Sequence, residues 1–553
     1  MKLFSFLLLF FIILVLPVTV FTQSFSINTD GSIADNSAIL DIKSTTKGLL
    51  MPRLTTVQKY AIATPAEGLK IYDTDTKTFW FYNGMVWTEI PDGSNSWNLS
   101  GNSLSNPANQ FIGTLDDNPL LFRIKNINAG LIDSTTQNTA FGFRALDSAV
   151  ITALQFNTAF GYKTLLNNTI GALNTAIGGN SLRSNKSGFS NVAVGYSSLF
   201  SNTTGGGNTA IGISALNNNT SGFQNTAIGM YAHFSSKSGV RNTSLGTEAL
   251  VSDSSGNDNT AIGVYALSSS INANFNVAVG NNSLSYHKRN DYNTAIGGYA
   301  LFWDTSGTSN TAVGYGSLFD NRNGIQNTAV GQGALYYNKA SNNTAFGYGA
   351  LSAIVTGYNN IAIGSGSGTH PSTPAIYNTI SIGNNGFLNA YQNQAFIGNT
   401  STIFIGGQVN WSTYSDARIK NNITEDVKGL DFITRLRPVS YYKDFASITS
   451  LTGNKVTEDY PGKYDGEQIK YSGFLAQEVE VAAKQSNYNF SGLHTPKGQY
   501  DLYSLSYAEF VVPLVKAVQE QQAMIKNQEK IIEEQKNKME QLQKRVAAIE
   551  FKK

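Results

Sequence analysis

One five-residue block recurs through the middle of this chain at an almost constant spacing. The block is Asn-Thr-Ala-Ile-Gly or a close variant, and from Asn157 to Asn327 its copies follow one another with an unbroken 17-residue period. Further copies start outside that run, at Asn138, Asn343, Asn360 and Asn378. A fixed period this short predicts a solenoid, in which every repeat forms one coil that stacks on the next.

The residues within each repeat favour β-structure. The apolar residues of the block have no helical spacing, and a glycine ends each run. A second pair such as Ala215-Leu216 follows, and the segment after it is rich in Asn, Ser and Gly. We therefore predict two short strands per repeat, joined by turns, with identical residues of successive coils about 4.8 Å apart. The repeat region is placed at residues 138–405, after a β linker or first coils at 99–137.

The apolar content of a single coil is small. One Ile and one Leu per repeat bury little area to offset the entropy lost on ordering, so neighbouring chains are expected to cover part of each coil. The repeats resemble the head repeats of trimeric autotransporter adhesins, which build a trimeric left-handed parallel β-roll. This resemblance implies that the chain's main partner is itself, as a homotrimer.

A polysaccharide-degrading function, as in tailspike enzymes, would need two positioned carboxylates in the repeats. The repeats contain few acidic residues. The candidates Asp253, Asp258, Asp291, Asp304 and Asp320 are expected to be solvated turn residues. Enzymatic degradation of a glycan by the repeats is therefore the least favoured alternative.

Residues 1–22 have the pattern of a signal peptide. One lysine precedes a long apolar run, and small residues place a cleavage site before Gln23. An uncleaved anchor is the alternative, because about 18 apolar residues can span a bilayer. Both alternatives imply export, and we expect a secreted or cell-surface protein with no membrane span after removal of the signal.

Residues 23–98 are predicted to form a small β module. The expected strands are Leu69–Tyr72, Thr78–Tyr82 and Val86–Ile90, with a hairpin turn at Asn83-Gly84. The aromatic residues of these strands are expected to form the module's core, and a carbohydrate-binding platform is the alternative. They are Trp80, Phe81, Tyr82 and Trp87.

The composition changes abruptly at Ser415, after a junction at residues 406–414. We predict an α/β domain at 415–510 and a coiled coil at 511–550. The expected elements of the domain are a helix at Lys428–Leu436, a strand at Pro438–Tyr442 and a strand leading into a helix at Tyr471–Val479. The final helix, which forms the coiled coil, is expected to begin within Tyr507–Val518.

Four motifs carry a resemblance across residues 415–553. They are SDARIKNNI at 415–423, LRPVSYY at 436–442, GFLAQEVE at 473–480 and YAEFVVPLVKAVQEQ at 507–521. Together they resemble the intramolecular chaperone and autoprotease domain of phage endosialidase tailspikes. The resemblance implies a domain that trimerises, assists folding of the preceding β fibre and then cuts itself off.

By position, the resemblance implies that Ser415 is the nucleophile, Lys420 the general base and Tyr414–Ser415 the bond that is cut. Asp416 and Arg418 are candidates to orient the loop or to bind across a subunit interface. Serine needs a base to remove its proton, and lysine serves as a base only in the neutral form that burial or a nearby cation favours. A turn over five residues would bring the two side chains together.

The last helix has a heptad pattern that predicts a trimeric coiled coil. Apolar residues recur every seven residues from Val511. The second seam position has Leu514, then glutamine in three successive layers from Gln521, then Leu542 and Ile549. The predicted trimer seam consists of Leu514, Val518, Ile525, Ile532, Met539, Leu542, Val546 and Ile549.

Other partners and cofactors are not expected. The net charge of +2 with no basic tract before the last helix argues against nucleic-acid binding. The chain has no cysteine and only four histidines, far apart in sequence, so neither a metal nor another cofactor is predicted. A cell-surface glycan or another ligand on a host or bacterial surface is the expected external partner.

The predicted fold is mainly β: a trimeric parallel β-roll or solenoid fibre, a small α/β chaperone domain and a C-terminal trimeric coiled coil. The predicted function is a secreted, adhesin-like fibre matured by its own serine autoprotease. The alternative is a structural adhesin that does not cut itself and keeps the C-terminal domain as a permanent trimer clamp.

Overall fold

A computed structural model describes residues 24–90, 112–148, 154–289, 291–385, 388–409, 411–453 and 463–552. The predicted signal peptide lies outside these residues. The chain divides into two compact units, residues 1–113 and 114–553, and each is described by itself.

The first unit contains two small sheets and one short helix. Strands β1 (Phe25–Asn28) and β2 (Leu40–Lys43) pair in parallel. A second sheet has the order β3 (Arg53–Leu54), β4 (Lys70–Asp73), β5 (Thr78–Tyr82) and β6 (Trp87–Ile90), and helix α1 (Thr56–Tyr60) follows β3 with a capping box at Thr55. The hairpin predicted at Asn83-Gly84 joins β5 to β6.

Aromatic side chains and one ion pair hold this sheet to helix α1. Trp87 is buried, and the ring of Trp80 lies 3.3 Å from Lys59 Nζ. Lys59 Nζ also contacts Asp73 Oδ2 at 2.8 Å, with both side chains buried. Burial alone would raise the pKa of Asp73, but hydrogen bonds from Lys59 and Thr56 lower it to about 2. Trp80 and Trp87 thus belong to the module's core.

The second unit begins with an antiparallel hairpin and continues as a parallel solenoid. Strand β7 (Leu120–Ile124) pairs with β8 (Ile127–Asp133), and β8 pairs antiparallel with the first strand of the solenoid. The solenoid has one strand per coil, each paired in parallel with the next: β9 (Asn138–Phe141), β10 (Thr158–Phe160), β11 (Thr175–Ile177), β12 (Val192–Val194), β13 (Thr209–Ile211), β14 (Thr226–Ile228), β15 (Thr243–Leu245), β16 (Thr260–Ile262), β17 (Val277–Val279), β18 (Thr294–Ile296), β19 (Thr311–Val313), β20 (Thr328–Val330), β21 (Thr344–Phe346), β22 (Ile361–Ile363), β23 (Ile380–Ile382) and β24 (Ala395–Ile397).

The interior of the solenoid is built from ladders of identical residues. Counting the block asparagine as position 1, alanine at position 3 and leucine at position 9 are fully buried in most coils, as Ala210 and Leu216 show. The block asparagines form a polar ladder beside them. Asn208 Nδ2 donates to Asn191 Oδ1 at 3.1 Å and to the Gly222 carbonyl at 2.8 Å. Each buried amide is therefore satisfied by the neighbouring coil and by its own.

The second strand predicted for each repeat is absent from the coils that the structure describes. Positions 7 and 9 have left-handed backbone conformations, for example a φ of 55° at Ser214 and 51° at Leu216. A strand needs extended dihedral angles, so the predicted second strand is wrong. The chain turns tightly here instead, which points the leucine inward. Backbone bonds between coils persist, as from Leu216 N to the Ala232 carbonyl at 3.0 Å.

The block predicted to start at Asn378 is out of register by one residue. Ile380 pairs with Ile361, and the backbone N–H of Thr379 donates to Asn360 Oδ1 at 3.1 Å. Thr379 therefore takes the ladder position. Asn378 lies outside the ladder because its own φ of 56° turns it away, and its side chain bonds Asn393.

The C-terminal part is a small α/β region followed by a long helix. Its elements are α2 (Leu430–Ile433), β25 (Val439–Tyr441), α3 (Phe445–Leu451), β26 (Tyr471–Gly473), α4 (Ala476–Gln485), β27 (Leu493–His494), β28 (Ser504–Leu505) and α5 (Val511–Glu550). The pairs β25–β26 and β27–β28 are antiparallel. Phe432, Val479 and Phe510 are buried in its core. The prediction of a mainly β solenoid with a small C-terminal α/β region and a long helix is confirmed.

Candidate functional site: the junction at Ser415

A short turn brings the predicted serine and lysine together. Residues Ala417–Ile419 form one 3-10 turn, and the Asp416 side chain caps it by accepting from the Arg418 backbone N–H at 2.8 Å. The turn reverses the chain. Lys420 Nζ then donates to Ser415 Oγ at 2.7 Å. This distance is that of a direct hydrogen bond and suits proton transfer between the two groups.

Asp416 and Arg418 support the same turn. Arg418 Nε donates to Asp416 Oδ2 at 3.0 Å. This side-chain bond, with the backbone bond from Arg418, lowers the pKa of Asp416. The Asp416 carboxylate is thus bonded to the Arg418 guanidinium, and Lys420 contacts Ser415 instead.

The pair is exposed in the single chain. Ser415 and Lys420 lie at the surface, and the side chain of Tyr414 is almost fully accessible. A general base works best where water is excluded, since water stabilises a lysine in its charged form. The described chain thus brings the predicted serine and lysine into contact but leaves both exposed to water.

The C-terminal region also touches the last coils of the solenoid, which the sequence analysis missed. The rings of His370 and Tyr500 stack with centroids 4.4 Å apart, and burial lowers the pKa of His370. Ser401 Oγ donates to the Lys463 carbonyl at 3.1 Å. The last coils therefore contact the C-terminal region at two places besides the chain connection.

The predicted trimer seam lies along helix α5 as a row of exposed apolar side chains. Val518, Ile532, Met539 and Ile549 are each more than half exposed. The side chains that helix α5 buries, such as Ala517, lie near its start, where Glu520 Oε2 accepts from the Leu430 backbone N–H at 2.7 Å. The rest of the seam is free to pack against other chains, and its assignment stays a prediction.

Two of the aspartates expected to be solvated are buried in the solenoid interior, so that expectation was wrong. Asp253 lies 3.3 Å from His233, and Asp304 lies 3.6 Å from His287, with all four side chains fully buried. Both aspartates lie at position 12 of their coils, where asparagines such as Asn185 and Asn202 form a second buried ladder in other coils, and the carboxylate replaces the amide. Burial raises the pKa of Asp304. Neither carboxylate is accessible to a polysaccharide.

The other three acidic candidates have different partners. Asp258 forms an ion pair with Arg241, and Asp320 forms ion pairs with Arg322 and Lys339. Asp291 accepts from the Asn274 backbone N–H at 2.6 Å. Within the described residues no group of three or more acidic, histidine or cysteine side chains could hold a metal ion. The described helices also include none that is both long and apolar enough to cross a membrane.

Two family models match parts of the chain. Residues 26–105 match the model described as a phage tail like trimerisation region, and residues 415–486 match the model described as chaperone of endosialidase, a peptidase family by its name. No curated protein matches the chain. The chain is thus a tail-fibre-like trimeric β-solenoid with an endosialidase chaperone domain, and the resemblance of its C-terminal part is confirmed.

The trimerisation region at residues 26–105 was missed by the sequence analysis, which predicted only a small β module there. Exposed apolar side chains in the structure of this unit are consistent with such a region. Ile33, Ile39 and Leu50 are each more than two-thirds exposed. Apolar side chains that the described part of this unit leaves exposed are available to a partner chain.

Proposed function

We propose that this chain is an exported homotrimeric fibre whose C-terminal domain assembles three chains and then cuts the Tyr414–Ser415 bond. The observation that carries the proposal is the 2.7 Å contact between Lys420 Nζ and Ser415 Oγ. It lies at the first residues of the segment that matches the chaperone family, on the border between fibre and domain. The match to a peptidase family supports the same chemistry.

The proposed cut is an attack by Ser415 on the carbonyl carbon that precedes it. The neutral amine of Lys420 accepts the proton of Ser415 Oγ, and Oγ bonds to the Tyr414 carbonyl carbon. The C–N bond of that peptide then breaks, the Ser415 nitrogen takes the proton from Lys420, and an ester joins Tyr414 to Ser415 Oγ. Water hydrolyses the ester, which leaves a carboxylate on Tyr414 and a free amino group on Ser415.

Assembly would complete this site. Ser415 and Lys420 are exposed in one chain, and a neighbouring chain that covers them would remove water and favour the neutral lysine. Cutting would then follow trimerisation and occur once per chain. Release of the chaperone domain would leave the folded fibre with a high kinetic barrier to unfolding.

The mass of the mature products tests cutting and export together. We expect the fibre collected from outside secreting cells to start at Gln23 and end at Tyr414. The separate fragment should begin at Ser415 and have about a quarter of the mass of the 59.7 kDa chain. An intact full-length mass would favour the permanent clamp, and a fragment beginning at Asp416 would contradict attack on the Tyr414 carbonyl. Retention in the cytoplasm would contradict export.

An apolar row on the outer face of the solenoid strands supports a trimer along the fibre. Side chains alternate across a strand, so position 4 points away from the buried alanine at position 3. In many coils this outward residue is a half-exposed Ile, Leu or Phe. The row includes Phe160, Ile177, Ile211, Leu245, Ile296, Phe346, Ile363 and Ile382.

A charge in this row is expected to weaken the trimer. Ile211 and Ile271 are both 38% exposed, but Ile211 lies in the row and Ile271 in a turn on another side of the coil. Ile211→Asp should lower the temperature at which trimers dissociate by at least about 5 °C, and the matched Ile271→Asp much less. Sedimentation of heated samples measures both. Equal losses would contradict an interface at the row.

A further inference from the structure

An aromatic groove opens on the outer surface of three successive coils. The coils begin at Asn310, Asn327 and Asn343, and the groove has a volume of about 330 Å³. Its walls are four tyrosines, Tyr315, Tyr336, Tyr337 and Tyr348, and its polar groups include Gln332 and Ser352. The assembly and cutting of the fibre use none of these side chains.

The groove exists because position 7 of these coils is glycine. Gly316, Gly333 and Gly349 have φ values of 61° to 65°. The same left-handed conformation is adopted at position 7 of other coils by larger residues, such as Asn282 at 55° and Tyr299 at 58°. The backbone therefore does not require glycine here. The glycine instead leaves the surface above it empty, since a Cβ on Gly333 would meet no atom within 4 Å.

Two of the rings that border this space are held by aromatic neighbours. Tyr336 stacks on Phe319 with centroids 4.7 Å apart, and Tyr337 meets Tyr336 edge to face at 4.7 Å. Tyr315 and Tyr348 flank the glycine floor and are 59% and 64% exposed. Rigid, accessible aromatic faces bind with a small loss of conformational entropy.

The lining is polar without being charged. The carboxylate of Asp320, close to Tyr336, is already paired with Arg322 at 2.9 Å and Lys339 at 3.2 Å. Burial, with smaller contributions from Tyr337, Tyr315 and Asp320, raises the pKa of Tyr336, which keeps its hydroxyl group protonated. A suitable ligand is uncharged. It presents apolar C–H faces to the tyrosine rings and hydroxyl groups to the Gln332 amide and the tyrosine hydroxyls.

We propose that this groove binds a neutral oligosaccharide, whose pyranose rings stack on Tyr315 and Tyr348 above the glycine floor while their hydroxyl groups bond Gln332 and Ser352. Pyranose rings combine the required C–H faces and hydroxyl groups. A single-stranded nucleic acid also stacks on aromatic rings but needs cations along its backbone, and the lining contains none. This inference is independent of whether the chain cuts itself.

The test fills the groove without changing the backbone. Gly333→Tyr introduces a residue that the equivalent position of another coil already holds, at Tyr299. Asn282→Tyr places the same residue at position 7 of a coil outside the groove, where the backbone is also left-handed, and serves as the matched control. The full chain is titrated with cellotetraose, maltotetraose and chitotetraose, and with tetragalacturonate as an anionic comparison, by calorimetry and saturation-transfer NMR.

We expect at least one neutral tetrasaccharide to bind with a Kd of about 1 mM or tighter, and tetragalacturonate to bind more weakly. Gly333→Tyr should raise the Kd of the neutral ligand by about tenfold or more, and Asn282→Tyr should raise it by less than about twofold. If none of the three neutral tetrasaccharides binds, or if Gly333→Tyr binds them with unchanged affinity, the proposal is overturned. Loss of the trimer in Gly333→Tyr alone would assign the groove to a second copy of the chain instead.

Discussion

Ser415→Ala and Lys420→Arg are each expected to leave the chain uncut, with the rate of fragment release reduced by about 10³-fold or more. Alanine removes the oxygen that attacks the Tyr414 carbonyl. Arginine keeps the positive charge and donor groups of Lys420 but has no accessible neutral form, so it cannot accept the serine proton. A time course on a denaturing gel measures the loss of full-length chain in both variants.

Two controls separate chemistry from folding. Both uncut variants should still form trimers in solution, because neither side chain is part of a buried core. Arg418→Ala should slow cutting by only about tenfold, since it loosens the turn through Asp416 but removes no reacting group. Full cutting by Lys420→Arg would exclude Lys420 as the base. Loss of trimers in Ser415→Ala would mean that the residue has a structural role instead.

Gly263→Ala is expected to be among the most damaging single-methyl changes in the fibre. Gly263 ends the block of its coil with a φ of 134°, and a Cβ there would lie 2.5 Å from the Gly280 carbonyl oxygen of the next coil. The added methyl group would clash with backbone atoms of the next coil, which cannot move aside as a flexible side chain can. We expect a loss of at least about 3 kcal/mol per chain, measured from unfolding rates in guanidinium chloride.

Gly333→Ala provides the matched control for this loss. Its φ of 65° is also left-handed, but its Cβ would meet no atom within 4 Å, so only the conformational cost of about 1 kcal/mol applies. Both variants reduce the freedom of the unfolded chain equally, and that effect cancels in the comparison. Similar losses in the two variants would contradict in-register contact between neighbouring glycines.

The larger loss at Gly263 follows from the architecture. Within one chain, each inner coil stacks on the coil before it and the coil after it, so a displaced coil disturbs two interfaces at once. The buried asparagines on either side would lose their bonds as well. Asn259 Nδ2, for example, donates to Asn242 Oδ1 at 3.1 Å. An unsatisfied amide in this interior adds to the cost of the clash.

Much of this protein was determined by its sequence alone. A 17-residue period with Asn at its start and Gly at position 5 specifies in-register parallel coils, because only identical neighbours let amides bond along the axis and backbones approach this closely. In the C-terminal region the sequence also predicted α2, β25, β26, α4 and α5 in their order, but not α3, β27 or β28. Ser415 and Lys420 are close in sequence, and one turn suffices to join them.

Only the tertiary structure shows which side chains face the core in the part of each coil that follows the strand. Left-handed backbone at positions 7 and 9 breaks the alternation that a second strand would have imposed, so Leu216 and its equivalents point into the core. The same geometry buries Asp253 and Asp304 beside histidines of the preceding coil. It also opens the tyrosine groove above Gly333. A repeat pattern specifies the stacking of coils, but the path of each coil depends on backbone angles that only packing against its neighbours selects.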